Sequence, residues 1–300
     1  MTILIFHSDD AGATKKVTRR IMQAWVDGLI ASFSVLANGD SLGLVKQYLE
    51  QHPEKPARIA VHLNLCEGKS LAFNIGESTI SDQDGLLNAR FGSLLLNWLS
   101  FSAKRKKDLL SHIEAEWRTQ IELIIETLSP RKIQALDGHM HMHMLPFLFP
   151  LAAKLAKEYG IPEIRVTNEV FHISQHASDS MSFSFLINIV KYVVLKLCSL
   201  PADKHLRHYK INAPDTIVGI LYSGIMTAAS AKKGIMAAKN KNRKCIEVLF
   251  HIGGSAPDES KRWDSCPDIG EFYWSQLRNS EYEELAKLRM EYFKEPFNHV

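Results

Sequence analysis

The chain has 300 residues, 46% of them hydrophobic, and a formal net charge of +3. That length suits one large α/β domain or two smaller ones, and the apolar share builds a substantial core. The near-balanced charge does not point to nucleic acid, because the basic clusters Lys104–Lys107 and Lys239–Lys244 are short and read as solvated faces.

In chain order, residues 2–6 read as a buried strand and Lys15 to Asp27 as a helix closed by Gly28. Ser32 to Ala37 reads as strand, Ser41 to Gln51 as a helix before Pro53, and residues 58–63 as strand. The polar, Gly-rich stretch from Glu67 to Asn88 reads as loop. Two helices follow, near Phe91–Phe101 and Lys106–Leu128. Ile133 to His141 reads as strand, Pro146 to Tyr159 as helix and Glu163 to Val166 as strand. Phe183 to Leu200 is apolar but interrupted by Asn188, Lys191 and Lys196. It is short for a membrane span, and on a helical wheel Ser184, Asn188, Lys191 and Ser199 form one stripe, as in an amphipathic helix packed on the domain. A lid over the site or a shallow membrane contact is its other reading. Ile217 to Tyr222 reads as strand, Ala228 to Lys239 as helix, Ile246 to Ile252 as strand, and Glu281 to Phe293 as a final helix capped by Ser280.

Strand–helix alternation implies a parallel sheet with right-handed crossovers. About seven mostly parallel strands surrounded by helices predict a single-domain, barrel-like (β/α) fold over residues 1–300, closed or nearly closed, with no linker or repeat. Chemistry in such barrels sits at the C-terminal strand ends. Asp9, Asp10, Asn38, His62, His139 and His251 all fall near such ends.

Asp137-Gly138-His139-Met140-His141-Met142-His143 is the densest chemical motif. In a strand, alternate residues share a face, so Asp137 and the three histidines would project from one side and Met140 and Met142 pack on the other. The same pattern also fits a half-buried strand with a polar outer face. Same-face neighbours lie about 6.6 Å apart, whereas ligand nitrogens sit roughly 2.1 Å from an ion. One or two of these histidines can therefore share an ion, and the remaining ligands must come from elsewhere. Asp9-Asp10 and His62 are the candidates. The aspartates also read as a helix N-cap, although a second carboxylate there gains little. His62 alone also reads as a satisfied core histidine.

Cys66, Cys198, Cys245 and Cys266 show neither zinc-knuckle nor disulfide spacing. That favours a reducing, cytoplasmic setting. The N-terminal apolar run of four residues is shorter than a signal peptide core.

Six motifs in order resemble the YdjC-like carbohydrate deacetylase family, which includes the chitooligosaccharide deacetylases and hopanoid-associated proteins. They are Ser8-Asp9-Asp10-Ala11-Gly12, Gly28–Ser34 with Asn38-Gly39, Val61-His62-Leu63-Asn64-Leu65-Cys66-Glu67-Gly68, Asp137–Pro146, Ile164-Arg165-Val166-Thr167-Asn168-Glu169, and Glu247–His251. The helix around Tyr282–Leu288 also fits. The resemblance implies Asp10, His62 and His139 as ligands of one divalent ion, magnesium or zinc, with Asp9 as catalytic base and His251 as acid or transition-state donor. Arg165 and Glu169 would shape the sugar pocket, with His141 and Asn38 as further substrate-binding residues. The implied reaction is hydrolysis of an N-acetyl group from an amino sugar, oligosaccharide or glycolipid, with ion-activated water as nucleophile. Ala11 and Gly138 stand where the family pattern has Phe and Ser, and Ile252-Gly253-Gly254 replaces Pro-Gly after His251. These departures bear on the pocket and on His251.

A homologue that binds metal or sugar without turnover is the competing class, yet both Asp9 and His251 are present. A metal-dependent hydrolase of another amide or ester, phosphate esters included, is the third; phosphate-ester sites carry more carboxylates or a second ion. The wide apolar face of 183–200 leaves a membrane or lipid-linked substrate contact, or a homodimer, among the expected partners.

Overall fold

The computed structural model describes residues 1–174, 183–257, 259–263 and 266–292, with backbone only at 183 and 184. Seven parallel strands form one curled sheet in the order β5-β4-β3-β2-β1-β7-β6. They are β1 (Ile3–Ala11), β2 (Ser32–Val35), β3 (Arg58–Leu63), β4 (Ile133–Gly138), β5 (Glu163–Ile164), β6 (Thr216–Val218) and β7 (Cys245–Phe250). Among the described residues no ladder joins β5 to β6, so the expected barrel is an open half-barrel. Every pairing is parallel, which requires a crossover after each strand, and helices supply the outer layer.

Those helices are α1 (Lys15–Val26), α2 (Leu42–Gln51), α3 (Phe91–Ser100), α4 (Ala103–Leu128), α5 (Phe149–Glu158), α6 (Phe183–Ser199), α7 (Ala202–Tyr209), α8 (Ala228–Asn240), α9 (Pro267–Trp274) and α10 (Leu277–Tyr292). α1 shows how local sequence sets each one. Thr14 accepts the Val17 N–H at its start, Gly28 at φ +75° ends it, and Val17, Ile21, Met22 and Trp25 face the sheet. Each such aliphatic or aromatic side chain contributes about 1.5–3 kcal/mol on burial. The loop after β3 is tied to α4 by Glu116, whose carboxylate accepts from the Ser70 hydroxyl and the Leu71 and Ala72 N–H groups.

Four sequence expectations need correction. β4 ends at Gly138, and His139–Met144 form a tight 3-10-like turn, with Met140 and His141 at φ +50° and +57°. Met140 is consequently exposed and Met142 buried, so the two do not share a face. β5 and β6 are shorter than read, because each is an edge strand paired on one side only. The chain after β6 is moreover drawn off by Glu169, which accepts the N–H groups of Gly219, Ile220 and Leu221 at 2.8, 3.1 and 2.9 Å. α10 begins at Leu277, where Ser275 accepts the Leu277 N–H, so Ser280 lies inside the helix and not at its cap. Helices α7 and α9 were not anticipated. The side chain of Ser184 and all of Phe293 lie outside the described residues.

Candidate metal centre and active site

The C-terminal strand ends meet over the concave face. β1 and β7 align Ser8 with Phe250, so Asp9 and His251 follow on neighbouring strands. β3 and β4 align His62 with Asp137 and Leu63 with Gly138, so His139 follows directly. On β1 the register against β2 shifts between Ser8 and Ala11, and Asp10 has φ +76°. That bulge turns Asp10 toward the histidines, and a left-handed aspartate inside a strand is the kind of strain that functional sites retain.

Three atoms then form a buried triangle. Asp10 Oδ1 lies 3.5 Å from His62 Nε2 and 3.2 Å from His139 Nδ1, and the two nitrogens are 3.3 Å apart. Ligand atoms at roughly 2.1 Å around a tetrahedral ion are separated by about 3.4 Å. Asp10 Oδ1 is buried without a hydrogen-bond partner, as expected of an atom reserved for a cation. The surroundings favour positive charge. Burial would lower the His62 imidazole, but Asp9, Asp137 and Asp10 lift it to about 10. A cage that holds a proton so strongly also stabilises a metal ion at the same nitrogen. The residues present therefore fit one divalent ion.

Outer partners fix each ligand. Asp137 Oδ1 lies 2.6 Å from His62 Nδ1, leaving Nε2 for the triangle. Arg278 of α10 donates to Asp10 Oδ2 at 3.0 Å. Glu67 Oε1 sits 3.6 Å from His139 Nε2 and accepts from Arg262 and Tyr273, while Trp263 donates to Oε2. Asp137, Glu67 and Arg278 were not assigned roles from sequence. The first two stand inside the conspicuous motifs, so proximity to a histidine was their available signal. Arg278 carries no local signal, since it stands ahead of the final helix as read from sequence and outside every motif.

Asp9 is held differently. Arg165 donates to both its oxygens at 2.8 and 2.9 Å, Ser34 donates at 3.2 Å, and His7 Nε2 is 3.0 Å away. Burial acts to raise its carboxyl, but Arg165, His62 and His7 hold it well below the usual carboxylate range. Its Oδ2 is 3.9 Å from His62 Nε2, next to the triangle and not a corner of it. Arg165 also binds Asp137 at 2.9 Å and Glu247 at 2.5 Å, and Glu247 meets Arg58, which pairs with Glu163 at 2.6 Å. A column of alternating charge thus runs up the inside of the sheet to the site. Each buried carboxylate would cost several kcal/mol alone, and the arginines offset that cost.

The remaining candidates divide. His251 is 8% exposed, packed edge-on to Phe272 at 5.3 Å; burial pushes its imidazole down to about 3 despite Asp9 and Asp10. His141 is buried beside the triangle, with Nδ1 unpartnered and burial holding its imidazole well below the usual range. Lys191 of α6 faces the same space: burial lowers its enclosed amine to about 8 against Asp9 and Glu169. Arg165, Glu169 and Asn38 are brought to the rim, but their polar groups are engaged within the protein. Asn38 donates to the carbonyls of Glu67 and Lys69 at 2.9 and 3.0 Å and accepts from Asn64.

With this geometry in view, residues 3–295 match the family of YdjC-like proteins. The chain belongs to the YdjC-like family. Among curated relatives of this YdjC-like chain is a chitooligosaccharide deacetylase of Salmonella schwarzengrund (strain CVM19633), 29% identical over 159 residues. That match covers 53% of this chain and 57% of the relative, so the chain spans little more than half the relative's length. Among solved structures, an Enterococcus faecalis V583 protein described as a candidate for cellobiose-phosphate cleavage superposes with a TM-score of 0.59 at 18% identity, covering 94% of each chain. That likeness shows that the two share a fold.

Proposed function

We propose that this YdjC-like chain hydrolyses the N-acetyl group of an N-acetylated amino sugar, with one divalent ion held by Asp10, His62 and His139. The observation that supports it most is the buried triangle of ligand atoms with ionised Asp9 on one side and His251 on the adjoining strand end. The substrate class follows the name of the curated relative, so a chitooligosaccharide is the first candidate. When bound, the ion supplies Lewis-acid polarisation of the acetyl carbonyl and a lowered pKa for water. Two imidazoles and one carboxylate suit zinc or another transition ion, and the carboxylate also suits magnesium.

The chain's own groups do the rest. Asp9 is ionised at neutral pH and takes the proton of the attacking water. Arg165 keeps it ionised and aimed, at some cost in basicity. His251 enters neutral and donates an N–H where charge develops on the acetyl oxygen or leaving amine. Asn38, Arg165 and Glu169 act by holding loops and the base, while His141 and Lys191 line the space left for the sugar. The free cysteines fit a reducing, cytoplasmic setting.

The test is acetate release from N-acetylated chitooligosaccharides by the metal-reconstituted protein. Asp9→Asn should retain its metal and lose on the order of a hundredfold in rate. Wild type without acetate release across N-acetylated sugars, though loaded with metal, would overturn the reading.

A further inference from the structure

Helix α6 has an apolar outer face. At about 100° per residue, Leu186, Val190, Val193, Leu197 and Leu200 fall within an arc of about 80°. They are 57, 65, 47, 61 and 71% exposed. The opposite arc buries the polar residues Asn188 and Ser199 beside Leu195 and Cys198, and Asn188 donates to the Ser223 carbonyl at 3.0 Å. A helix facing water has the reverse pattern. Phe171 and Ile173 are also exposed, and the Phe171 ring lies 5.7 Å from that of Tyr192 on α6, so the patch extends beyond the helix. A contiguous apolar surface of this kind marks a docking face.

Charge points to the occupant. α7 follows α6 at a bend of 45° and carries exposed Lys204, Arg207, His208 and Lys210 against the one acid Asp203. The sequence Phe183–Ser199 contains no acidic residue. A second copy presenting the same patch would therefore bring four basic residues and the single acid Asp203 against the same set. Anionic lipid headgroups supply the balancing negative charge beside an apolar layer for the leucines and valines. Among the described residues no single helix is long and apolar enough to cross a membrane; α6 and α7 reach that length and composition only together, across their 45° bend, and the exposed basic residues of α7 favour a position along the surface.

We propose that the outer face of α6, with the basic face of α7 beside it, docks this protein on an anionic lipid surface. α6 packs against the turn His139–Met144, so docking sets the candidate site close to the membrane plane. The proposal stands whatever reaction the site performs.

Flotation of the full-length protein with phosphatidylcholine vesicles, with and without phosphatidylglycerol, tests it. Wild type should float with the anionic vesicles and be released by salt. Val193→Glu, and separately the pair Lys204→Glu and Arg207→Glu, should each reduce bound protein about tenfold or more while melting as wild type does. These side chains are exposed, so a folded variant is expected, and the second variant leaves the apolar face intact as a check on the first. Absence of wild-type flotation with anionic vesicles overturns the proposal. So does equal flotation on both vesicle types, or a wild-type dimer in sedimentation velocity that Val193→Glu dissociates, which would assign the face to a second copy.

Discussion

His62 can present Nε2 to Asp10 and His139 only while its Nδ1 is held on the other side, and Asp137 holds it at 2.6 Å. Asp137→Asn should therefore lower metal affinity about 10–100-fold with the fold retained. A competitive chelator titration measures this, and unchanged affinity would detach Asp137 from the centre. The adjacent histidines make a different prediction. Burial pushes the His143 imidazole down to about 4, while Nε2 bonds the Arg165 carbonyl at 2.9 Å. Because the folded pKa lies below the unfolded value near 6.5, the stability of burying it neutral is present above about pH 6.5 and is lost as pH falls through about 4. The full effect is on the order of 3 kcal/mol. Glu169 and Glu281, both pushed up to about 7 by burial, oppose the trend between about pH 4.5 and 7, so the comparison must be with a variant. Urea midpoints of His143→Gln should fall less between pH 6.5 and 4 than those of wild type; parallel curves would refute the assignment. At this scale the sequence exposed the histidines and the paired aspartates, because their types are rare together. Which nitrogen faces which oxygen depended on contacts across 75 or more residues.

The turn after β4 is where local pattern and structure part. Alternating histidines read as a strand because period two is the only regular period in the motif. The backbone instead coils at once, and a Cβ on Gly138 would stand 2.5 Å from His143 Nδ1. Gly138→Ser should overpack this corner, cost about 1–3 kcal/mol and weaken metal retention through His139. Thermal melting and metal content of Gly138→Ser against Gly138→Ala check it. Both variants should be impaired, since the clash lies at Cβ, and two wild-type melts would mean that His143 moves aside freely. Of the strands that lie between two others, β2, β3 and β7 were read within two residues of where they lie, whereas β1 runs on to Ala11 through its bulge and β4 stops at Gly138. The edge strands β5 and β6 were overread. Interior strands are held by ladders on both sides, whereas β5 and β6 pair on one side only and each stops two residues before its partner does.

Arg278 lies near the chain's end and reaches Asp10 near its start, closing the half-barrel over the site. Burial acts to raise the Asp10 carboxyl, but His139, His62 and Arg278 hold it well below the usual range. Arg278→Met should cost about 3–5 kcal/mol, because it leaves a buried carboxylate without its cation. Adding saturating divalent ion should recover part of that loss, since an ion supplies positive charge on the other oxygen. Melting with and without metal measures both effects. A small loss that metal does not change would show that Arg278 merely packs between Phe272 and Tyr273, whose rings it covers at 4.9 and 4.4 Å.

Read alone, the sequence established the alternation of strands and helices, the parallel sheet, the convergence of Asp9, Asp10, His62, His139 and His251 on one rim, and the resemblance to the YdjC-like family. The first three follow from local apolar periodicity and from residue types at strand ends, and the resemblance from six motifs that match in order. The tertiary structure alone decided that the barrel stays open, that Asp10 turns through a bulge to meet the histidines, that Asp137 and Arg278 brace the triangle, and that Arg165 binds Asp9 inside a column of alternating charge. It also decided that α6 turns its polar stripe inward. Each of these is a pairing of buried charges or surfaces distant in the chain, and the energy that selects it exists only once water has been excluded between them.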